Sequence, residues 1–289
     1  MLKPRLIGLI PILGPIAVQS IGFTQYLPIG RPEIAVKYLD RWGVDEIAIF
    51  LIDRAGTRST VPVEDVRRYA KQAQVPLAIG GGIGHLDDVK RLIAAGADKV
   101  SLNTAIVANP GLIDEAARHF GSQCVVACVD ARTDPTGNSL AFIRGGRESS
   151  GMTAVQFAVR AQELGAGEIL LQSIDRDGTK RGYDLGLIAG VMRAVSVPVI
   201  ACGGAGHPAH LDAALAVGVS AVAVGNMLHY TEHSVPTMKR QLAQVNRQMR
   251  LEGPVIYDGV NFDKSGRLMM RSEEYLERLR FTYIPEEKV

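Results

Sequence analysis

The sequence lacks a net charge of either sign, and this excludes several classes of protein. Its 32 Lys and Arg residues are set against 30 Asp and Glu residues, so the formal net charge is only +2. A nucleic-acid-binding domain needs a basic patch or stripe, and no cluster of Lys and Arg stands out along this chain. We therefore expect no nucleic-acid partner.

Cysteines are also scarce, with 3 in the 289 residues, at Cys124, Cys128 and Cys202. Their spacing matches no zinc or redox motif, and each lies in an apolar, strand-like run. This pattern predicts buried free thiols in a reducing compartment. We expect neither a metal site nor a bound cofactor.

No apolar run approaches the ~18–20 residues that a membrane-spanning helix requires. The stretch 6–18, which follows Lys3 and Arg5, superficially resembles a short signal peptide, but prolines and glycines interrupt it and no A-x-A site follows. A first β-strand that runs into a loop is the better interpretation. We expect a soluble, cytoplasmic protein with no membrane partner.

What the sequence does contain is a regular alternation of strand-like and helical segments. Its length allows one large α/β domain or two small ones, and 47% hydrophobic residues can form a full core. Eight apolar runs predict strands at 6–13, 46–52, 76–79, 99–102, 124–129, 168–172, 199–201 and 221–224. Between them, amphipathic stretches predict helices at 63–74, 86–95, 110–119, 154–164, 185–194 and 208–217. Eight strand–helix units with doubly buried strands predict a (β/α)8 TIM barrel, with a doubly wound sheet as the alternative.

An internal repeat favours the barrel. Residues 44–57 resemble 166–179, and residues 76–85 resemble 198–207, both at an offset of 122 residues. Two matches at one offset indicate two half-barrels of four units each. We assign residues 1–250 to the barrel and 251–289 to a C-terminal extension that is too short to form a second core.

Glycine-rich and Asn-containing turns follow several predicted strands, at the face where barrel enzymes hold their active sites. Glycines let backbone N–H groups approach a phosphate, although tight turns between strands and helices use them as well. Because these turns occur in both halves, they favour a ligand with two separated phosphates. The candidate phosphate-binding residues are Gly81, Gly82, Asn103, Thr104, Asp177, Gly178, Gly203, Gly204, Gly225 and Asn226.

Asp130 ends the fifth predicted strand, in the segment CVVACVDAR. A carboxylate after six apolar residues either points into the barrel mouth, as a general acid or base, or caps the following turn. Spacing alone does not separate these two roles.

Several segments together are similar to one family. The motifs GEILLQSIDRDGT, IACGGAG, GADKVSLNTAIVANP, FGSQCVVACVDAR and IGGGI resemble the cyclase subunit of imidazole glycerol phosphate synthase, an enzyme of histidine biosynthesis. The similarity extends over residues 5–250. It implies a (β/α)8 barrel that pairs with a glutaminase subunit and conducts ammonia through its core to a bisphosphorylated ribonucleotide.

The resemblance also implies roles at the opposite end of the barrel. The family's ammonia-channel gate, a charged ring of Arg, Glu, Lys and Glu, falls on Arg5, Glu46, Lys99 and Glu168, each next to a strand start. Asp98 matches a position that contacts the partner subunit. The alternative is that these are ordinary solvated charges at strand starts.

One departure from the family affects the expected activity. The family carries a second catalytic Asp at the end of the first strand, where this chain has Pro11, and a loop Lys where it has Gln19; no Asp or Glu precedes Glu33. Proline cannot transfer a proton, so cyclisation should lose most of the ~10²–10⁴-fold contribution of general acid–base catalysis. In this respect the chain resembles cyclase-like paralogues encoded with lipopolysaccharide or other glycan genes.

The resemblance to these paralogues suggests that the chain is a barrel subunit that conducts ammonia. It would belong to a glutamine-dependent amidotransferase assembly, related to the lyase-type synthase of the family. Its partners would be a glutaminase subunit and a separate sugar amidotransferase of surface-polysaccharide biosynthesis, with the cyclase activity weakened or lost. The first alternative is a genuine cyclase subunit of histidine biosynthesis. The second is a non-catalytic scaffold that binds a phosphorylated small molecule.

Overall fold

The computed structural model describes residues 3–54, 60–253, 261, 263, 267–269 and 271–278. In these residues, twelve strands follow in chain order: β1 (Arg5–Leu13), β2 (Ile16–Ile21), β3 (Gln25–Gly30), β4 (Glu46–Leu51), β5 (Leu77–Gly80), β6 (Lys99–Leu102), β7 (Val125–Thr133), β8 (Ser139–Ile143), β9 (Glu148–Thr153), β10 (Glu168–Ser173), β11 (Val199–Cys202) and β12 (Ala221–Val224). The α-helices of the same part are α1 (Pro32–Arg41), α2 (Val63–Ala70), α3 (Leu86–Ala94), α4 (Ala105–Ala108), α5 (Gly111–Phe120), α6 (Ala154–Glu163), α7 (Leu185–Ala194), α8 (Pro208–Val217), α9 (Ser234–Gln244) and α10 (Glu273–Arg278).

Eight of the strands form a closed parallel barrel in the order β1-β4-β5-β6-β7-β10-β11-β12. The barrel closes where β12 pairs with β1, with Arg5 opposite Ala221. Each of the eight coincides with a predicted strand to within a few residues, so the prediction of a TIM barrel is confirmed. The doubly wound sheet is wrong because its edge strands would stay unpaired, whereas here β10 pairs with β7 and leaves no barrel edge.

The barrel strands are apolar throughout because both of their faces are buried. One face packs under the helices, in a large core that includes Ile47, Ile79 and Phe157. The other face points into the lumen of the barrel, which is lined by a separate apolar cluster. Burying each large aliphatic side chain contributes about 1.5–3 kcal/mol, so continuous apolar runs stabilise both layers.

Two antiparallel hairpins were not predicted. β2 and β3 follow β1, which turns at Gly14 and pairs with β2 instead of running into a loop. β8 and β9 follow β7 in the same manner. Since β1 and β7 begin the two halves of the barrel, the hairpins are equivalent features of the internal repeat.

The last helix of the barrel, α9, ends at Gln244. Beyond residue 253, the described part of the extension includes α10, in which no residue is buried. Arg267 forms an ion pair with Glu232 at 3.0 Å and so contacts the barrel. Residues 254–260, 262, 264–266, 270 and 279–289 lie outside the described residues, and the boundary at residue 250 remains a prediction. Among the described helices, none is long and apolar enough to cross a membrane.

Candidate active site

A cavity of about 620 Å³ opens at the carboxyl ends of the barrel strands. Both hairpins contribute to its wall, through Phe23 and Tyr26 of the first and Arg144 and Arg147 of the second. The cavity is also lined by all ten residues predicted to bind phosphate, namely Gly81, Gly82, Asn103, Thr104, Asp177, Gly178, Gly203, Gly204, Gly225 and Asn226. The structure therefore brings the turns of both half-barrels to one site, and their binding of phosphate remains a prediction.

Asp130 lies on β7 and lines the cavity with only 9% of its surface exposed. No hydrogen bond to its carboxyl group occurs within the described residues. Burial, helped by the nearby charge of Asp177, raises the pKa of Asp130 to about 7. A carboxyl group with a pKa near neutrality can both accept and donate a proton, which is the property that a general acid or base needs.

Asp177 follows β10 and connects the cavity to the first hairpin. Ser20 Oγ donates a hydrogen bond to Asp177 Oδ2 at 2.6 Å, and the backbone N–H of Gly22 donates to the Asp177 carbonyl at 3.2 Å. Burial raises the pKa of Asp177 to about 6, against the opposing effect of its hydrogen bonds to Ser20, Phe23 and Gly22. This residue was predicted to bind phosphate, and it also holds the hairpin against the barrel.

Two asparagines attach the hairpins in equivalent ways. Asn226 Nδ2 donates to the Ser20 carbonyl at 2.7 Å, and the Ser20 N–H donates to Asn226 Oδ1 at 3.1 Å. In the other half, Asn103 Nδ2 donates to the carbonyls of Cys128 at 3.1 Å and Phe142 at 3.0 Å. Because these amides already have protein partners, the asparagines help to shape the cavity wall whether or not they bind a ligand.

The turn after β11 requires glycine at two successive positions. Gly203 and Gly204 have φ angles of +91° and +101°. A Cβ atom on Gly204 would lie 2.2 Å from the Gly182 carbonyl oxygen. Turn geometry alone therefore accounts for these glycines, and their position in the cavity wall additionally exposes backbone to a ligand.

The end of the first strand contributes Pro11 to the cavity, and no acid. Among the described residues that line the cavity, the carboxylates are Asp130 and Asp177. The side chains of His85, Arg144 and Arg147 provide basic or titratable groups at the same site. The wall thus combines two acids with donors that suit an anionic ligand.

The opposite end of the barrel is crossed by a charged ring of Arg5, Glu46, Lys99 and Glu168. Arg5 Nη1 lies 2.7 Å from Glu46 Oε2, and Arg5 Nη2 also contacts Glu168 Oε1. Lys99 Nζ lies 2.9 Å from Glu46 Oε2 and 2.6 Å from Glu168 Oε2. Every member therefore contacts both neighbours of opposite charge, and the four side chains form a closed ring across the barrel.

Charge and burial compete at this ring. Burial acts to raise the pKa of Glu168, but its hydrogen bonds and charge interactions with Arg5 and Lys99 hold that pKa below the ordinary value. The side chains of Glu46 and Glu168 are only 3% and 10% exposed, whereas Arg5 is 26% exposed. The carboxylate of Glu168 is thus held in its charged form, and Arg5 is the most solvent-accessible member of the ring.

Between the ring and the cavity, the barrel lumen is lined by apolar and mostly small side chains. The buried lumen residues are Ile7, Leu9, Ala48, Ala78, Val126, Cys128, Leu170, Ile200, Cys202, Ala221 and Ala223. Four are alanines, which leave more space on the barrel axis than larger aliphatic residues. Cys128 and Cys202 are buried free thiols, as predicted, and burial raises the pKa of both; Cys124 is only partly buried.

Asp98 lies at the same end of the barrel as the ring, immediately before β6. Its Oδ2 accepts a hydrogen bond from the backbone N–H of Leu77 at 2.8 Å. The residue is exposed, so it is accessible to a partner while its carboxylate helps to fix the start of β5. Contact between Asp98 and a partner subunit remains a prediction.

Gln172 and the hairpin residues of the cavity wall were not predicted from the sequence. Gln172 directly follows the apolar residues Ile169, Leu170 and Leu171, and this change to a polar residue was the available signal. The described residues contain no group of His, Cys, Asp and Glu side chains arranged to bind a metal ion.

Comparison with known proteins places the chain in a family. The family model described as "Histidine biosynthesis protein" matches residues 16–234. This chain belongs to that family. It is also 42% identical over 253 residues to the imidazole glycerol phosphate synthase subunit HisF of Bacillus cereus, an alignment that covers 87% of this chain and 100% of the relative. The family resemblance inferred from the motifs is therefore confirmed, and with it a HisF-like barrel.

Proposed function

We propose that this chain is the barrel subunit of a glutamine-dependent synthase of the imidazole glycerol phosphate synthase type. In this proposal, ammonia from a glutaminase subunit enters at the charged ring and reacts in the cavity beside Asp130. The observation that carries it is the alignment, in one barrel, of a charged ring, an apolar lumen and a cavity that holds buried acids.

The ring suits the role of a gate because it is closed by ion pairs yet partly accessible. Ammonium would have to give up its hydration at a ring whose glutamates are already paired with Arg5 and Lys99, whereas neutral ammonia has a much smaller desolvation penalty. Arg5, the most exposed member, is the side chain that a docked glutaminase subunit can reach and displace. Asp98 immediately precedes Lys99 in the sequence and would contribute to the same interface.

The lumen suits ammonia because an apolar surface favours the neutral molecule over ammonium. Desolvation penalises a cation strongly, so ammonia that is released beyond the ring would remain unprotonated until it reaches polar groups. The next polar groups along β7 and β10 are Asp130 and Gln172, at the floor of the cavity. Ammonia would thus be delivered directly to the proposed acid–base group.

The cavity suits a bisphosphorylated ligand because its two glycine- and asparagine-containing walls come from opposite halves of the barrel. Basic side chains on the second hairpin, Arg144 and Arg147, add positive charge at the mouth. Asp130 would serve as the general acid or base for the reaction of ammonia with the bound substrate.

The family resemblance leaves two candidates for the reaction in which the ammonia is used. The description of the family model and the name of the Bacillus cereus relative together favour the synthase of histidine biosynthesis over an enzyme of surface-polysaccharide amidation. The polysaccharide role is retained as a second candidate because of one observation, namely that Pro11 and no carboxylate ends the first strand in the cavity wall. In that case the barrel would pass ammonia to a separate sugar amidotransferase.

Complementation of a histidine auxotroph that lacks the cyclase subunit separates these candidates. Growth supports the synthase of histidine biosynthesis, and Asp130→Asn is the matched inactive control. Absence of growth, combined with activation of a co-purified glutaminase subunit, supports the second candidate. Ligand binding without any glutaminase partner would contradict both and favour a non-catalytic scaffold.

A further inference from the structure

Gln172 is a buried amide for which the proposed reaction has so far given no role. Side chains alternate between the two faces of β10, so Glu168, Leu170 and Gln172 all point into the barrel, at the ring, the lumen and the cavity respectively. Gln172 is only 6% exposed. Within the described residues its side-chain amide makes no hydrogen bond.

Polar groups inside a protein are normally hydrogen-bonded to other protein groups or to water, and the Gln172 amide has no partner in the described part of the protein. Among the described residues, the fully enclosed side-chain atoms that lack a hydrogen-bond partner do not include the amide of Gln172. Its atoms are therefore accessible from the cavity that Gln172 lines. A ligand in the cavity can therefore supply the missing partners. An interior that needed only to fill space would be served better by an aliphatic residue such as the neighbouring Leu170.

The amide lies beside a second unpaired group. In the parallel pairing of β7 with β10, Gln172 is opposite Asp130. Neighbouring strands are about 4.8 Å apart, so the two side chains leave the sheet next to each other and enter the same cavity. The Asp130 carboxyl group likewise has no hydrogen-bond partner within the described residues. Together they present a carbonyl acceptor, an N–H donor and a carboxyl group to one ligand.

We propose that Gln172 is a specificity-determining residue that, with Asp130, binds the planar nitrogen-containing group of the ligand, of the imidazole, amidine or carboxamide class. Such groups carry an N–H donor close to a nitrogen or oxygen acceptor, and this pattern complements an amide beside a carboxyl group. The inference rests on the proposed function, because ammonia that leaves the lumen would generate a group of this class at the cavity floor.

Calorimetric titration of the full-length protein with two probes tests the proposal. Imidazole glycerol phosphate carries the planar ring, whereas glycerol 3-phosphate retains the phosphate without it. We expect the wild-type protein to bind the first about tenfold more tightly, the effect of one well-formed hydrogen bond, and Gln172→Leu to abolish that preference while binding glycerol 3-phosphate normally. Gln172→Asn should retain part of the preference, and Gln74→Leu, at an exposed glutamine outside the cavity, should retain all of it.

An independent readout uses the wild-type protein alone, should Gln172→Leu fail to fold. The side-chain amide signal of Gln172 in a ¹H–¹⁵N NMR spectrum should shift with imidazole glycerol phosphate and stay unchanged with glycerol 3-phosphate. Equal binding of both probes, or an unchanged preference in Gln172→Leu, would overturn the role of Gln172 and leave the proposed function standing. Absence of binding by both probes would instead refute the phosphate-binding cavity, and the inference with it.

Discussion

Replacement of Glu168 by glutamine is the sharpest test of the charged ring as an electrostatic unit. The substitution preserves shape but removes the charge that Arg5 and Lys99 share. Charge-assisted hydrogen bonds contribute about 1.5–3 kcal/mol each, and loss of one partner from a buried ion pair costs about 3–5 kcal/mol. Because Arg5 is 26% exposed, solvent reduces the penalty. We expect Glu168→Gln to lower the free energy of unfolding by about 2–4 kcal/mol at neutral pH.

The effect should depend on pH with a defined sign. The pKa of Glu168 in the folded protein lies below its ordinary value of 4.5. Its charge therefore stabilises the fold fully above that ordinary value, and this stabilisation is lost as the pH falls through the lower pKa of the folded state. The difference between wild type and variant should be constant from neutral pH down to weakly acidic pH and should shrink in more acidic solution.

Urea unfolding followed by the fluorescence of Trp42, the single tryptophan, measures this difference. An unchanged dependence on urea concentration would show that the variant exposes the same surface on unfolding. Asp114→Asn is the matched control, because Asp114 forms an exposed ion pair with Arg118 that should contribute about 0.2–1 kcal/mol at most. If Glu168→Gln and Asp114→Asn cost the same, or if the difference does not change with pH, the ring is not a coupled unit.

Three further predictions concern the cavity. Asp130→Asn should reduce ammonium-dependent turnover by about 10²–10⁴-fold and remove the limb near pH 7 from the pH–rate profile; a limb that persists would contradict the acid–base role. Ser20→Ala should raise the pKa of Asp177 above about 6, because it removes a hydrogen bond to the carboxylate. Carboxyl ¹³C NMR titration measures this pKa, and an unchanged value would show that the contact with Ser20 is unimportant. Gly204→Ala should lower the free energy of unfolding by about 2–4 kcal/mol, because it adds backbone strain and a steric clash. Gly151→Ala, at a position with positive φ but open space, should lower it by about 1 kcal/mol. Urea unfolding measures both values, and equal values would refute the clash.

The barrel could be predicted from the sequence because its strands are buried on both faces and therefore read as continuous apolar runs. The hairpins could not be predicted, because their strands show neither a continuous apolar run nor a regular alternation of apolar and polar residues. β3 is mostly exposed on both faces and contains Pro28, and β9 is a polar segment, so neither shows the alternation of a half-buried strand. Helix α1 was also missed, although Val36 and Leu39 are buried at helical spacing.

The candidate site was partly predictable for a related reason. Turns at the carboxyl ends of parallel strands must converge, so the glycines and asparagines could be placed at one mouth before the fold was known. That Asn226 and Asp177 would hold Ser20 could not be predicted, because it depends on a hairpin that the sequence did not reveal. Gln172 was missed because one polar residue does not disturb an apolar strand pattern.

Passage of ammonia inside the barrel, from the charged ring to the cavity, is the step on which the proposed function depends. It is tested most directly by supplying amide-¹⁵N glutamine to the purified complex with its glutaminase subunit, in the presence of unlabelled ammonium, and measuring the isotope in imidazole glycerol phosphate. We expect nearly all of the incorporated nitrogen to carry the label, and we expect Ala78→Leu in the lumen to lower this fraction. Dilution of the label to its proportion in solution would contradict passage through the barrel.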